Sequence, residues 1–173
     1  ASATPGGVRM PCPIGRFAST ASSACDSRCP PGTYCPEGSA GPTPCSAGRY
    51  GATHELGDAA CTAAAPRGRY ADAGSSSAAL CPAGRFSRVE GATSAAACEA
   101  GGAGAYAAAG QVEAHRCGAG DASCAAGASA PRRVLLGYYT DDGAVDRAEG
   151  GTNAGDATRR GAMLECPPGH WCK

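Results

Sequence analysis

The chain has 173 residues, 15 basic against 15 acidic side chains, and a 43% hydrophobic content that consists largely of 40 Ala and 12 Cys. Leu, Ile, Val and Phe together number only 13, far below the roughly 20% associated with an ordinary apolar core, so a single globular core is excluded. The neutral balance removes the basic patch that nucleic-acid binding requires and separates the chain from highly charged disordered sequences.

A repeat organises the sequence. Glycine, one variable residue and an aromatic recur eight times, at Gly15-Arg16-Phe17, Gly32-Thr33-Tyr34, Gly48-Arg49-Tyr50, Gly68-Arg69-Tyr70, Gly84-Arg85-Phe86, Gly104-Ala105-Tyr106, Gly137-Tyr138-Tyr139 and Gly169-His170-Trp171. The gaps between successive glycines are 17, 16, 20, 16, 20, 33 and 32 residues. Such a near-fixed period signals tandem small modules. Glycine permits the positive φ of a sharp turn, and the aromatic is expected to supply each module's largest buried area. Five copies carry a cysteine three residues before the glycine: Cys12, Cys29, Cys45, Cys81 and Cys166. Another cysteine tends to fall about eleven residues after the aromatic, at Cys45, Cys61, Cys81, Cys98 and Cys117.

An even cysteine count in a Gly/Pro-rich chain with little core reads as a disulfide framework formed in an oxidising compartment. A sequential pairing uses every cysteine: Cys12–Cys25, Cys29–Cys35, Cys45–Cys61, Cys81–Cys98, Cys117–Cys124 and Cys166–Cys172. An alternative crosses Cys29 to Cys45 and Cys35 to Cys61. The sequential set is preferred because Cys166 and Cys172 have no other partners in view, and spacing alone leaves the connectivity open.

In chain order, short runs after the aromatics, such as 17–20 and 86–89, suit strands of small antiparallel ribbons. The copy at Gly68 has Ala65 where cysteine would stand, and its closing cysteine is expected near Ala78 or Ala79. Loss of both partners together is what disulfide chemistry demands. Gly101 and Val134 hold the cysteine place before Gly104 and Gly137. The Ala-rich runs 105–109 and 122–130 have helical propensity but no periodic apolar face, so a turn or two of helix is the most they promise. Residues 133–140 form the best single strand, ended by the turn signal Asp141-Asp142-Gly143. The polar stretch 142–160 reads as a long surface loop or a variant module. The segments are 1–28, a first repeat; 29–65, a repeat pair; 66–101, repeats of which the first lacks its disulfide; 102–131, a degenerate Ala/Gly-rich repeat; and 132–173, a variant repeat running into the next.

Segment 29–65, with Cys29-Pro30-Pro31-Gly32-Thr33-Tyr34-Cys35, resembles the ephrin-receptor-type cysteine-rich repeat, a relative of the tumour-necrosis-factor-receptor module. Segments 81–98 and 166–173 follow the same pattern. The resemblance implies disulfide-clasped β-ribbons stacked end to end in large extracellular proteins, notably of algae and other protists. It also implies surface, flagellar-hair or adhesive roles and no shared catalytic residues.

Other chemistry finds little support. There is no Cys-x-x-Cys, and His115-x-Cys117 and His170-x-Cys172 lack the duplicated tight spacing of zinc sites. Asp141, Asp142, Asp146 and Glu149 do not follow the calcium-loop register. His54, His115 and His170 lie in different repeats, each without a recognisable nucleophile partner. Gly102-x-Gly104-x-x-Ala107 lacks the strand and acidic residue of a dinucleotide loop. Asn153 is not in a glycosylation sequon, whereas Gly41-Pro42-Thr43-Pro44 is compositionally open to O-linked sugar. Arg16, Arg49, Arg69 and Arg85 share one position of the repeat; they either form a basic stripe or lay their stems over an adjoining module's aromatic and proline surface.

The reading is a small disulfide-rich fold, mostly coil with short antiparallel ribbons and little helix, arranged as an elongated tandem-repeat rod. It is expected to be a non-enzymatic structural segment of a larger extracellular or cell-surface protein. No cofactor is expected, and the partners would be other subunits, copies of itself, or glycans, with no nucleic acid and no membrane span in this segment. The start at Ala1 without Met and the stop just after Cys172 suggest a piece of something longer. Alternatives are a receptor ectodomain that binds a protein ligand and a linker subunit in an oxidising organelle lumen.

Overall fold

A computed structural model of the protein describes residues 10–18, 24–118, 122–135, 138–140 and 163–168. Nearly all regular structure is β, in strands of two or three residues. In chain order they are β1 (Arg16–Phe17), β2 (Ser27–Arg28), β3 (Thr33–Tyr34), β4 (Thr43–Pro44), β5 (Arg49–Tyr50), β6 (Ala63–Ala64), β7 (Arg69–Tyr70) and β8 (Ala79–Leu80). They continue as β9 (Arg85–Phe86), β10 (Glu99–Ala100), β11 (Ala105–Tyr106), β12 (His115–Arg116), β13 (Ala122–Ser123), β14 (Arg132–Arg133), β15 (Tyr138–Thr140) and β16 (Met163–Glu165). Each odd strand pairs antiparallel with the next even one, so every sheet has two strands. The register is constant: the aromatic pairs with the first residue of a two-residue closing strand, as Tyr34 does with Thr43 and Tyr106 with His115.

Each ribbon follows from a local turn. The amide before the aromatic donates back three residues, as Arg49 N does to Ser46 O and Arg85 N to Pro82 O. The glycine at the third position of that turn has φ between 73° and 86° at Gly15, Gly32, Gly48, Gly68, Gly84 and Gly104. That geometry is a type II turn, which favours glycine there. In the six ribbons from β1 to β12 the opening strand is therefore the variable residue and the aromatic itself, ending at the aromatic rather than running on after it. The residue following the aromatic leaves its ribbon and bonds to the next module.

One further expectation is corrected. Residues 133–140 are not one strand: β14 ends at Arg133 and pairs back to β13, 134–135 belong to no strand, and β15 begins at Tyr138. The Ala-rich runs stay within the turn or two of helix expected of them: they supply β11 and β13, and the one helical turn among the described residues is a 3-10 turn at Ala95–Ala97. Ala is thus used for its size, which the packing at the module junctions demands, and not for its helix propensity.

The long intervals of the repeat also resolve. Between Gly104 and Gly137 lies an additional ribbon, β13–β14, whose aromatic position is held by Ser123. The interval after Gly137 belongs to a single ribbon, because β15 pairs with β16 across it; the intervening 142–160 lie outside the described residues. From β3 to β14 the ribbon loops come in two lengths. Eight residues separate the strands at 35–42, 71–78, 107–114 and 124–131, and twelve at 51–62 and 87–98. Short and long loops alternate through the centre, so the true period is 36 residues, seen from Gly32 to Gly68 to Gly104 and from Gly48 to Gly84.

The chain divides into two compact units. The first comprises 1–65 with 71–78, and the second 66–70 with 79–173. Within both, the interior is built from small residues. Cys29, Cys35, Cys45, Ala65, Cys81, Ala107 and Cys117 have no exposed surface at all. Among the described aromatics at the repeat position Phe86, at 5% exposure, is buried, and Phe17, Tyr34, Tyr50, Tyr70 and Tyr106 are partly exposed, so the fully covered positions are the small residues beside them. In the five modules from Cys29 to Ala107 the buried positions fall three apart: the residue before the turn, the glycine, and the residue after the aromatic.

The turn glycines have a second constraint. A Cβ on Gly32 would overlap the Gly74 carbonyl, and one on Gly84 the Gly127 carbonyl. Gly32→Ala and Gly84→Ala are each expected to destabilise the protein by about 2 kcal/mol or more, because steric overlap adds to the left-handed backbone. Gly41→Ala and Gly102→Ala, where a Cβ meets nothing within 4 Å, should be close to neutral in the same thermal-unfolding measurement.

Candidate functional site

The groups that organise this chain are its turn glycines, each of which is a two-way backbone node. In the first unit, Gly15, Gly32 and Gly48 donate their amides to the carbonyls of Cys35, Gly51 and Ala71 at 2.7–2.9 Å. Their own carbonyls accept the amides of Cys29, Cys45 and Ala65 at 2.8–2.9 Å. In the second unit, Gly68, Gly84 and Gly104 donate to Ser87, Ala107 and Cys124, and accept from Cys81, Gly101 and Cys117. The two partners of each node are the residue before the next turn and the residue after the next aromatic.

Two more bonds complete five of these six junctions, all but that of Gly68. The amide in the loop turn of a module donates to the carbonyl of the residue that precedes the previous module's turn: Gly38 to Cys12, Glu55 to Cys29, Gly74 to Cys45, Gly110 to Cys81 and Gly127 to Gly101, at 2.8–2.9 Å. The amide after the aromatic donates into the next loop, as Cys35 does to Leu56 and Ala107 to Ala128. All of these groups lie at or beside fully buried positions, where an unpaired amide or carbonyl would be costly. Side chains at the buried positions must be small, because backbones meet there.

The disulfides sit on the same nodes. Five of the six sequential pairs are described: Cys12–Cys25, Cys29–Cys35, Cys45–Cys61, Cys81–Cys98 and Cys117–Cys124. Cys166 is also disulfide-bonded, and Cys172, its expected partner, lies outside the described residues. No described cysteine is free. Two geometries occur. Cys29–Cys35 and Cys117–Cys124 join the residue before the turn to the residue after the ribbon's first strand, with Cα atoms 5.9 and 5.8 Å apart. Cys45–Cys61 and Cys81–Cys98 reach instead to the far end of a twelve-residue loop.

This corrects the expected site of the missing bridge. Ala65 and Ala71, both buried, hold the places of Cys29 and Cys35 and bond the same way to their node, Gly48. The lost partner is therefore Ala71, not Ala78 or Ala79. Gly101 and Ala107 repeat the substitution around Gly84. The residue after each aromatic went unnoticed in the sequence, yet a signal was present: Ala18, Cys35, Gly51, Ala71, Ser87, Ala107 and Cys124 are all small.

Three of the four repeat arginines have polar partners within the protein. In the two long-loop modules they tie down their own loops: Arg49 Nε donates to Ala60 O and Arg85 Nη1 to Cys98 O, both at 2.7 Å. Arg16 pairs with Glu55 at 3.1 Å, joined by Arg28 at 3.5 Å. Glu55 is the outlier of the loop turns. It has φ of 62° where Gly38, Gly74, Gly110 and Gly127 stand in the other modules. The one ring–cation contact among the described residues belongs to another arginine, Arg88 over Phe86 at 5.2 Å.

The histidines are not gathered into a centre. His115 lies beside the Tyr106 ring, centroids 5.7 Å apart, and within 3.2 Å of Gln111 Oε1; its neighbour Cys117 is committed to a disulfide. Among the described residues no three His, Cys, Asp or Glu side chains are grouped to hold a metal ion, and no helix is long and apolar enough to cross a membrane. Gly137, Gly169, His170 and Trp171, the acidic residues Asp141, Asp142, Asp146 and Glu149, and the side chain of Tyr139 lie outside the described residues. No protein-family model matches this chain, and no curated protein matches it.

Two outcomes test this account of the nodes. The double variant Ala65→Cys/Ala71→Cys should form an additional bridge, visible by mass spectrometry of non-reduced peptides, and gain about 2 kcal/mol from closing so short a loop. Appearance of two stable free thiols would refute the equivalence with Cys29–Cys35. Glu55→Gly should be more stable than Glu55→Ala by about 1 kcal/mol, since both lose the ion pairs and only alanine keeps the left-handed strain.

Proposed function

We propose that this chain is a non-enzymatic structural segment of a larger cysteine-rich repeat protein of the cell surface or secreted matrix, a scaffold of the flagellar-hair or adhesive kind. Its work is to space and stiffen and to present side surfaces for assembly. The single observation that supports this most is the glycine node, repeated six times with the same partners. The buried groups of the chain are spent on holding one module to the next. The disulfides lie on those junctions and belong to an oxidising environment, which suits an extracellular location.

Spacing depends on the number of modules rather than on the identity of any one surface, and this gives a test. Residues 49–84 span one full period between the equivalent nodes Gly48 and Gly84. Excising them from the native protein removes Cys61 and Cys81 together and leaves Cys45 to close on Cys98. The shortened protein is expected to oxidise without free thiols and to keep its assembly or attachment with a reduced dimension. Complete loss of attachment in a correctly oxidised protein would favour a receptor face built from specific modules, and the scaffold reading would fail.

A further inference from the structure

The ribbon β13–β14 departs from the rule that the others obey. Phe17, Tyr34, Tyr50, Tyr70, Phe86, Tyr106 and Tyr139 end the pairing segment or lie within it in the other opening strands, whereas β13 has Ser123. The register leaves no doubt about equivalence. Ser123 pairs with Arg132 as Tyr106 pairs with His115, and Cys124 follows it with the bond to Gly104 that marks the position after the aromatic. In the preceding ribbon the Tyr106 ring lies against the His115 ring across the strands. In β13–β14 the corresponding space lacks a ring.

That space is a pocket of about 380 Å³, open on one side and lined by Ser123, the loop residues 125–130 and Arg132. Its loop has eight residues, the same length as the loops that accompany Tyr34, Tyr70 and Tyr106. The pocket thus lies on the described ribbon that lacks the ring, beside a loop no longer than theirs. Its volume lies at the small end of the range of roughly 300–1,000 Å³ for ligand sites. Its walls are alanine, glycine and serine, with the buried Ser123 at its base and exposed Arg132 at its rim. Arg132 forms no ion pair with a described residue; the two ion pairs among the described residues lie elsewhere, on Glu55.

We propose that this pocket receives an aromatic side chain from a partner polypeptide, with an adjacent carboxylate of the same segment on the Arg132 guanidinium. The incoming ring would restore in trans what every other ribbon supplies in cis. Aromatic rings bring a large contact area at low entropy cost, and arginine grips a carboxylate by paired hydrogen bonds. The proposal rests on the assembly reading for the existence of such a partner, while the pocket itself rests on the register and the cavity.

The test uses the whole oxidised chain, amide chemical shifts, and two blocked peptides, acetyl-Asp-Tyr-Asp-amide and acetyl-Asp-Ala-Asp-amide. The tyrosine peptide should shift the amides of 123–130 at millimolar concentration and the alanine peptide should not. Ser123→Tyr fills the pocket and should abolish the response while leaving the disulfide map unchanged. Arg132→Ala, which leaves the buried positions untouched, should weaken binding by roughly tenfold, the effect of one charge-assisted contact. Equal shifts with both peptides would reduce the surface to charge attraction and overturn the proposal. So would the absence of any shift, or a response that survives Ser123→Tyr. Such failures leave the scaffold reading standing, because that reading is decided separately by the excision of residues 49–84.

Discussion

The structure depends on a backbone contact, the turn glycine that donates its amide to one residue of the following module and accepts the amide of another. Main-chain groups do not vary with sequence, so the contact can be repeated without repeating side chains. It does require close approach, and that requirement explains the composition. Alanine, glycine and cysteine dominate because the positions before the turn, at the turn and after the aromatic admit little else. A chain that would be disordered by its Leu, Ile and Val content holds together because its buried polar backbone is paired rather than because apolar side chains are buried.

The disulfides reinforce nodes that already exist. Two arrangements serve the two loop lengths, one crossing the first strand of the ribbon and one clasping the far end of a long loop. Where Ala65 and Ala71 or Gly101 and Ala107 replace a cysteine pair, the four backbone bonds of the junction remain the framework, as Gly48 and Gly84 show. A bridge over so short a loop adds about 2 kcal/mol by constraining the unfolded chain, while the folded geometry is set by the node. Loss is tolerated in pairs, since one remaining thiol in an oxidising compartment would seek a wrong partner. Cys61 shows that the clasp adapts to the node and not the reverse. It stands one place earlier in the 36-residue period than Cys98, and the chain meets the difference with a φ of 52° at a non-glycine residue.

Much of this fold was legible in the sequence, and the reasons are physical. Gly-x-aromatic marks the turn because only glycine suits the positive φ, and sequential pairing follows from modules that close on themselves. The strand assignments were less accurate. A two-residue strand has no alternation to read, so Phe86 to Val89 looked extended when only Arg85 and Phe86 pair. The stretch from Arg133 to Thr140 showed the strongest β composition in the chain, yet Arg133 pairs back to Ala122 and Tyr138 pairs forward to Glu165, so its two ends belong to different ribbons. Complete burial falls elsewhere than on the rings: a two-stranded ribbon leaves part of most described aromatics exposed, and the residues with no exposed surface are the small ones where modules meet.

Because the junctions consume backbone groups, the exposed side chains are free to differ, and whatever distinguishes one module from another must lie in departures from the pattern. Glu55 is one such departure, holding two arginines of the first ribbon from a position that glycine fills elsewhere. Arg49 and Arg85 are another, present where a twelve-residue loop needs a tie and replaced by Thr33 and Ala105 in two of the short-loop ribbons. Ser123 is the third, and it differs in kind. The first two departures consume the groups they introduce, the carboxylate on arginines and the guanidinium on carbonyls. At Ser123 the change removes bulk without local compensation, leaving a cavity and a guanidinium facing solvent. In an architecture whose other irregularities are satisfied from within, an unfilled position is where an outside group finds room.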